Sequence, residues 1–240
     1  MYTYQSRIRY SEIDEGGTLR LEALLDYFQD CSTFQSEDLG LGVDYLKSIN
    51  RVWVLSSWQI VVERYPALCE TVSVGTLPYD FKGFIGYRNF VMLDREGSFI
   101  ARANSIWSLL DTQTNRPVRP EADMMKKYPL EPRVEMEYAS RRIVIPEGVV
   151  AGDPVPIKNH HLDTNHHVNN GQFIKIAMDC LGSSFRVKQL RAEYKKQVLL
   201  GDVLTPYTVA TEDGKYVIAL KNAENVVCCV VELEEERERS

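Results

Sequence analysis

Residues 21–40, LEALLDYFQDCSTFQSEDLG, decide the architecture. Leu21, Leu24, Leu25, Phe28 and Ser32 fall at i, i+3, i+4, i+7 and i+11, which lays one apolar stripe along a helix. Beyond Gly40 the apolar period changes. The segments WVLSSWQIVVERY (53–65), TVSVGTLPYDF (71–81), FIGYRNFVML (84–93) and SFIARANSIWSLL (98–110) read as strands. Asp94-Arg95-Glu96-Gly97 is a hairpin turn between the last two. Upstream, Tyr2, Tyr4, Ile8 and Tyr10 have the alternation of a strand, which Gly16-Gly17 ends. Residues 111–140, rich in Pro and charge, read as a connector.

The order then recurs. Strand-like RRIVIP (141–146) leads to a segment of histidines and asparagines, then to a helix from Asn170 to Gly182. Phe173, Ala177, Cys180 and Leu181 share a face of that helix. LRAEYKKQV (190–198), DVLTPYTVA (202–210), KYVIALK (215–221) and NVVCCVVELE (225–234) come next as strands. One helix and then a run of antiparallel strands, given twice, argues for an α+β protein built by duplication, with domains at 1–130 and 131–240. The plainer alternative is a single irregular α+β domain.

Composition narrows the function classes. With 44% hydrophobic and 26% charged residues the chain reads as an ordinary soluble globular protein. A net charge of −6 argues against nucleic acid as the partner, since phosphate contacts need a basic surface. Glu232, Glu234, Glu235, Glu236 and Glu238 read as a solvated, fraying tail. No apolar stretch approaches the roughly 20 residues needed to span a bilayer, so no membrane insertion is expected. The segment MYTYQSRIRYSE has no apolar h-region, which points to the cytoplasm. Cys31, Cys69, Cys180, Cys228 and Cys229 are odd in number and lack C-x-x-C spacing, as reduced and mostly buried thiols would.

Every histidine lies in one short stretch. His160, His161, His166 and His167 stand among Asp163, Asn165, Asn169 and Asn170. Histidine alone changes charge near neutral pH without perturbation, so this concentration reads as an active site. A zinc site needs ligand pairs a few residues apart, whereas these pairs are adjacent; no metal and no cofactor are expected. Plainer roles exist for some members: His160 and His161 as exposed loop residues, His166 as structural, Asn169 and Asn170 as caps or turn formers.

The stretch Asp163-Thr164-Asn165-His166-His167-Val168-Asn169-Asn170 resembles the D-x-N-x-H-V-N-N signature of acyl-acyl-carrier-protein (acyl-ACP) thioesterases. Further segments resemble the same family in the same order: Trp58 to Pro66, Arg102 to Trp107, and Thr112 to Arg116. The resemblance implies two tandem hotdog folds, each an antiparallel sheet wrapped around a central helix. It also implies hydrolysis of a fatty acyl thioester carried on a phosphopantetheine arm, ending chain elongation. The family's catalytic glutamate matches Gln197 here, within Glu193-Tyr194-Lys195-Lys196-Gln197-Val198. A carboxamide can hold water but takes no proton at neutral pH, so base duty falls on another group or the enzyme is slower.

Thioester hydrolysis needs an activated water, a clamp on the carbonyl and a place for the oxyanion. His167 is the expected general base, because a histidine's unperturbed pKa of about 6.5 lies near working pH. Asn165 would hold the carbonyl or the water, and Asp163 would fix the imidazole's tautomer. The spacing 163, 165, 167 suits an extended segment presenting all three on one side. Asn169 or Asn170 would cap the next helix, whose free N–H groups would face the oxyanion. Both asparagines and Trp58 are the candidate substrate contacts. The equivalent stretch of the first half, Ser11 to Gly17, has carboxylates and no histidine, so the first domain is expected to hold the acyl chain and the second the chemistry.

An acidic carrier protein would dock on basic pairs, with Arg141-Arg142, Lys188 with Arg191, Lys195-Lys196 and Lys126-Lys127 as candidates. Exposed strand edges leave room for a homodimer. The alternatives are an acyl-CoA thioesterase and, from another class, a non-catalytic acyl-binding hotdog, which Gln197 favours. A hotdog dehydratase is disfavoured by the D-x-N-x-H spacing inside one segment.

Overall fold

The computed structural model describes residues 1–182 and 185–236, and they divide into two compact units. The first comprises Met1–Ser56 and Val62–Tyr138; the second comprises Ser57–Val61 and Ala139 onward. The first contains β1 (Tyr2–Arg7), α1 (Leu21–Asp38), α2 (Val43–Ser48), most of β2 (Arg51–Val62), β3 (Thr71–Lys82), β4 (Ile85–Leu93), β5 (Phe99–Asp111), β6 (Arg116–Pro117) and α3 (Ala122–Lys127). Strands β1, β3, β4 and β5 pair antiparallel in that order. Helix α1 packs on β1 and β3, which is what its apolar stripe requires.

That stripe runs Leu21, Leu24, Leu25, Phe28, Cys31 and Gln35. Ser32 is only half-buried and turns its hydroxyl back to the Gln29 carbonyl at 2.9 Å. The drift from the expected i+11 position comes from the 3.6-residue turn, which brings residue 31 under residue 28. Phe28 meets Phe90 of β4 with ring centroids 5.4 Å apart. The stripe ends in a polar contact inside the core. Arg88 Nη1 donates to Gln35 Oε1 at 2.5 Å and to Thr76 Oγ1 at 3.0 Å, and its guanidinium lies 5.4 Å from the Tyr128 ring centroid. Burial pulls the Arg88 pKa down to about 10, still high enough to keep its charge.

Residues 111–140 are more than a connector. Met124 and Tyr128 are buried with Leu41 and Leu109, and the Val134 N–H and Tyr138 hydroxyl both donate to Asn89 Oδ1. The prolines and charges hid these anchors because each contributes one buried side chain rather than a periodic face.

The second unit adds β7 (Val150–Ala151), β8 (Val155–Pro156), α4 (Asn170–Met178), β9 (Val187–Tyr194), β10 (Val203–Ala210), β11 (Lys215–Lys221) and β12 (Val227–Glu235). Residues 57–61 of β2 pair with β9, and β9, β12, β11 and β10 continue antiparallel. Helix α4 packs on β11 and β12 through Phe173, Ile174, Ile176 and Ala177. It stops at Met178, before Cys180 and Leu181, so Cys180 is exposed instead of sharing the apolar face. Cys31, Cys228 and Cys229 are the buried thiols.

Two further expectations change. RRIVIP is not a strand. The counterpart of β1 is the broken pair β7 and β8, interrupted by Gly152-Asp153-Pro154, while Ile143 packs against Val217 and Val230. The acidic run belongs to β12 rather than to a tail. Val231 and Leu233 are buried on one side, while Glu232 meets Arg191 at 2.8 Å and Glu234 meets Lys188 at 3.9 Å. Alternation turned those glutamates outward toward cations. Glu238 lies outside the described residues. Among the described residues, no helix is long and apolar enough to cross a membrane.

Candidate active site

The Asp163–His167 stretch is a tight turn, not an extended segment. Asp163 Oδ1 accepts the backbone N–H groups of Asn165 at 2.8 Å and His167 at 3.1 Å. The Asp163 N–H reaches the His167 carbonyl at 2.8 Å, and Leu162 and Val168 bridge behind them. An aspartate that captures its own downstream N–H groups competes with extended backbone, and here it wins. Closing the loop requires His166 to take φ +61°, a left-handed conformation uncommon for residues other than glycine.

The first unit contains the same turn with different chemistry. Asp14 Oδ1 accepts the Thr18 N–H at 3.0 Å, the Asp14 N–H reaches the Thr18 carbonyl at 2.8 Å, and Gly17 takes φ +77°. Residue by residue, Asp14 corresponds to Asp163, Gly17 to His166 and Thr18 to His167. The likeness extends to the next loop: Leu19 N–H bonds Pro66 O and Val168 N–H bonds Val198 O, both at 2.9 Å. Cys69 and Gly201, at φ +68° and +86°, close equivalent turns. Duplication is thus written into backbone geometry, where side-chain chemistry has diverged.

This likeness yields a stability test. Because glycine already serves at the equivalent place, His166→Gly should keep stability within about 1 kcal/mol of wild type, on the stabilising side, with turnover within about twofold. Thermal unfolding and an activity assay check both; a deep loss of rate would give His166 a chemical role.

His167 is half-buried and its ring makes no hydrogen bond within the described residues, so it is available to a ligand. The Asp163 carboxylate does not bond that ring, contrary to the expected orienter role in its simplest form. Its Oδ1 is occupied by the backbone while Oδ2 is open. In the first unit, Thr18 Oγ1 donates to Asp14 Oδ2 at 3.1 Å, so a side chain at the position of His167 can face that oxygen. The Asn165 carboxamide is exposed and likewise unengaged.

Asn169 is the helix cap. Its Oδ1 accepts the Gly171 N–H at 2.8 Å, and its carbonyl takes the Gln172 N–H at 2.9 Å. Those two N–H groups are therefore not free for an oxyanion. Asn169→Ala should cost about 1 kcal/mol and lower Tm by about 2–4 °C, measurable by calorimetry. Asn170 opens the helix, and its carbonyl accepts the Tyr194 hydroxyl at 3.1 Å.

Gln197 is exposed in the loop after β9. His167 bridges Leu199, and Val168 bonds Val198, so this loop lies one strand spacing from the histidine turn. The nearby carboxylate Glu193 cannot replace the missing glutamate: it is buried, accepts the Ile143 N–H and pairs with Lys195 at 2.9 Å. Trp58 is 2% exposed on β2, opposite Ala192, with its ring in packed interior.

His161 is more engaged than a loop residue. It is half-buried, and its Nδ1 accepts the Lys158 N–H at 3.0 Å, as Glu12 Oε2 accepts the Arg9 N–H at 2.8 Å in the first unit. Burial, and then the charges of His160, Lys175 and Lys158, hold its pKa below the ordinary histidine value. Aligning Glu12 with His161 across the repeat would have given this role from the sequence. Of the basic pairs expected to dock a carrier, Lys188, Arg191, Lys195, Lys196 and Lys126 each face a carboxylate.

Known proteins share both the sequence pattern and the fold. The family model for the acyl-ACP thioesterase N-terminal domain matches residues 1–128, and that for the C-terminal domain matches residues 151–235. The chain is 24% identical over 245 residues to the chloroplastic acyl-[acyl-carrier-protein] hydrolase FATB1 of Cuphea viscosissima, covering 92% of this chain and 58% of that protein. It is 22% identical to oleoyl-acyl carrier protein thioesterase 1 of Arabidopsis thaliana, covering 86% and 63%. The chain thus spans less than two thirds of the length of these curated relatives. Among solved structures, an acyl-ACP thioesterase from Bacteroides thetaiotaomicron superposes with TM-score 0.88 at 24% identity, covering 98% of this chain and 97% of that one. The 12:0-ACP thioesterase from Umbellularia californica superposes with TM-score 0.85 at 17% identity, covering 98% and 96%. At such identities these structures establish the fold, two hotdog units with a helix against an antiparallel sheet. The two domain models take in both helix-on-sheet units, and the second encloses the whole histidine turn and Gln197; the chain belongs to the acyl-ACP thioesterase family.

Proposed function

We propose that this protein hydrolyses fatty acyl thioesters of acyl carrier protein, releasing free fatty acid and the carrier's thiol. The observation that carries this reading is an unengaged, half-buried His167 on an aspartate-built turn, inside a chain of this family. His167 takes a proton from water, and the resulting hydroxide adds to the thioester carbonyl carbon. Asn165 holds the developing oxyanion. Collapse of the tetrahedral adduct breaks the C–S bond, and the imidazolium returns its proton to the departing thiolate. Asp163 Oδ2 stabilises the imidazolium through the field of its charge. Asn170 and Gln197 line the approach, with Gln197 holding water by hydrogen bonds. Residues 1–130 hold the acyl chain, and residues 131–240 do the chemistry. Five free thiols suit a reducing compartment such as the cytoplasm.

The decisive experiment measures thiol release from carrier proteins bearing acyl chains of graded length, in parallel with the same acyl groups on CoA. The proposal expects a higher kcat/KM on the carrier. Equal or better turnover of the CoA esters makes the chain an acyl-CoA thioesterase, and protection without thiol release makes it an acyl-binding protein.

A further inference from the structure

The lysines of the second unit divide into two kinds. Lys188, Lys195, Lys196 and Lys215 each stand against a carboxylate, and Lys221 lies 4.2 Å from the Tyr207 ring centroid. Among the described residues Lys158 and Lys175 have no such partner. They are also the two lysines whose charges act on His161. The His160 ring packs against the His161 ring with centroids 4.1 Å apart. Lys158, His160 and His161 therefore share one turn, and Lys175 stands on the helix whose capping residue, Asn169, is bonded to that turn. In a chain with 34 Asp and Glu against 28 Lys and Arg, this local excess stands out.

Like charges held together repel, and the repulsion is relieved when an anion arrives. The geometry also supplies donors. His161 Nδ1 is taken by the Lys158 N–H, so the neutral ring carries its proton on Nε2. Lysine ammonium groups suit phosphate as mobile point charges. The turn leads directly into Asp163, and the Asn169 N–H ties it to the helix entrance through the His161 carbonyl at 2.8 Å.

We propose that Lys158, His160, His161 and Lys175 form a phosphate site that anchors the phosphopantetheine arm of the acyl carrier while its thioester reaches His167. The substrate part of this assignment rests on the function proposed above. It makes the arm's own phosphate, and not only the carrier's acidic surface, a recognised group.

The test tracks the histidine ring signals of the full chain by NMR across pH, each assigned by a single His→Gln variant. Spectra are recorded alone, with pantetheine, with pantetheine 4′-phosphate and with inorganic phosphate. Pantetheine 4′-phosphate is expected to raise the His161 midpoint by about half a pH unit or more, since a nearby anion favours the charged ring. Pantetheine should leave it unmoved, and the Lys158→Gln/Lys175→Gln variant should lose most of the shift with its other signals in place. No shift with the phosphorylated arm overturns the site. An equal response to inorganic phosphate at the same concentration overturns the arm assignment. Thiol release from acyl carrier protein, measured alongside, keeps the two readings apart. Hydrolysis without a His161 response removes this site alone, and a response without hydrolysis removes the proposed function alone.

Discussion

His167→Ala is expected to slow thiol release from an acyl carrier substrate by about 10²–10⁴-fold, the usual worth of a positioned base. The protein should remain folded. The contacts that place residue 167 are its N–H to Asp163 Oδ1 and its carbonyl to the Asp163 N–H, and alanine keeps both. The lost ring is half-buried and unbonded, so the stability change should stay within about 1 kcal/mol. Calorimetry and a thiol-trapping assay on the same sample separate the two effects. Added imidazole should restore part of the rate, because a half-buried position leaves the vacated space open to small solutes. A variant that hydrolyses within about threefold of wild type would show that the base lies elsewhere.

Asp163→Asn carries the second large effect, because it divides the two jobs of one side chain. The amide oxygen of asparagine can accept the same N–H bonds from Asn165 and His167, so the turn should persist with little loss of Tm. What disappears is the negative charge that favours the imidazolium. In serine triads the same exchange costs ~10⁴-fold through a direct carboxylate–imidazole bond. No such bond exists here, and the expected loss in kcat is correspondingly smaller, on the order of 10²-fold. Asp163→Ala should add a stability penalty of about 1–2 kcal/mol by removing both N–H bonds of the turn. Asp14→Asn is the internal control: it makes the same exchange in a turn of the same shape that has no histidine. It should leave turnover near wild type. Full activity in Asp163→Asn, or an equal loss in Asp14→Asn, would remove the charge from the mechanism.

The repeated order of helix and strands was legible because each element buries a periodic face. Leu21, Leu24, Leu25 and Phe28 could be placed from periodicity alone, and so could the hairpin at Asp94–Gly97. Elements without a periodic face escaped. Residues 111–140 hold on through isolated anchors such as Tyr128 and Tyr138. The counterpart of β1 was misplaced at 141–146, since Ile143, Val144 and Ile145 have a strand's composition while only the pairing with β10 marks Val150–Pro156. The acidic run at Glu232–Glu236 read as a tail because its cationic partners, Arg191, Lys188 and Arg186, are some 40 to 50 residues away in sequence.

For the site, sequence alone determined the residue types and their nearness along the chain: four histidines, an aspartate and three asparagines within a dozen positions, with glutamine where the family places glutamate. Local chemistry sufficed for that. Tertiary structure alone decided what each polar atom does, because a hydrogen-bonding group takes whichever partner folding brings within about 3 Å. That is how one Asp163 oxygen came to build a turn while the other stayed open, how Asn169 spent the helix's first N–H groups, and how the Lys158 N–H came to hold His161 Nδ1.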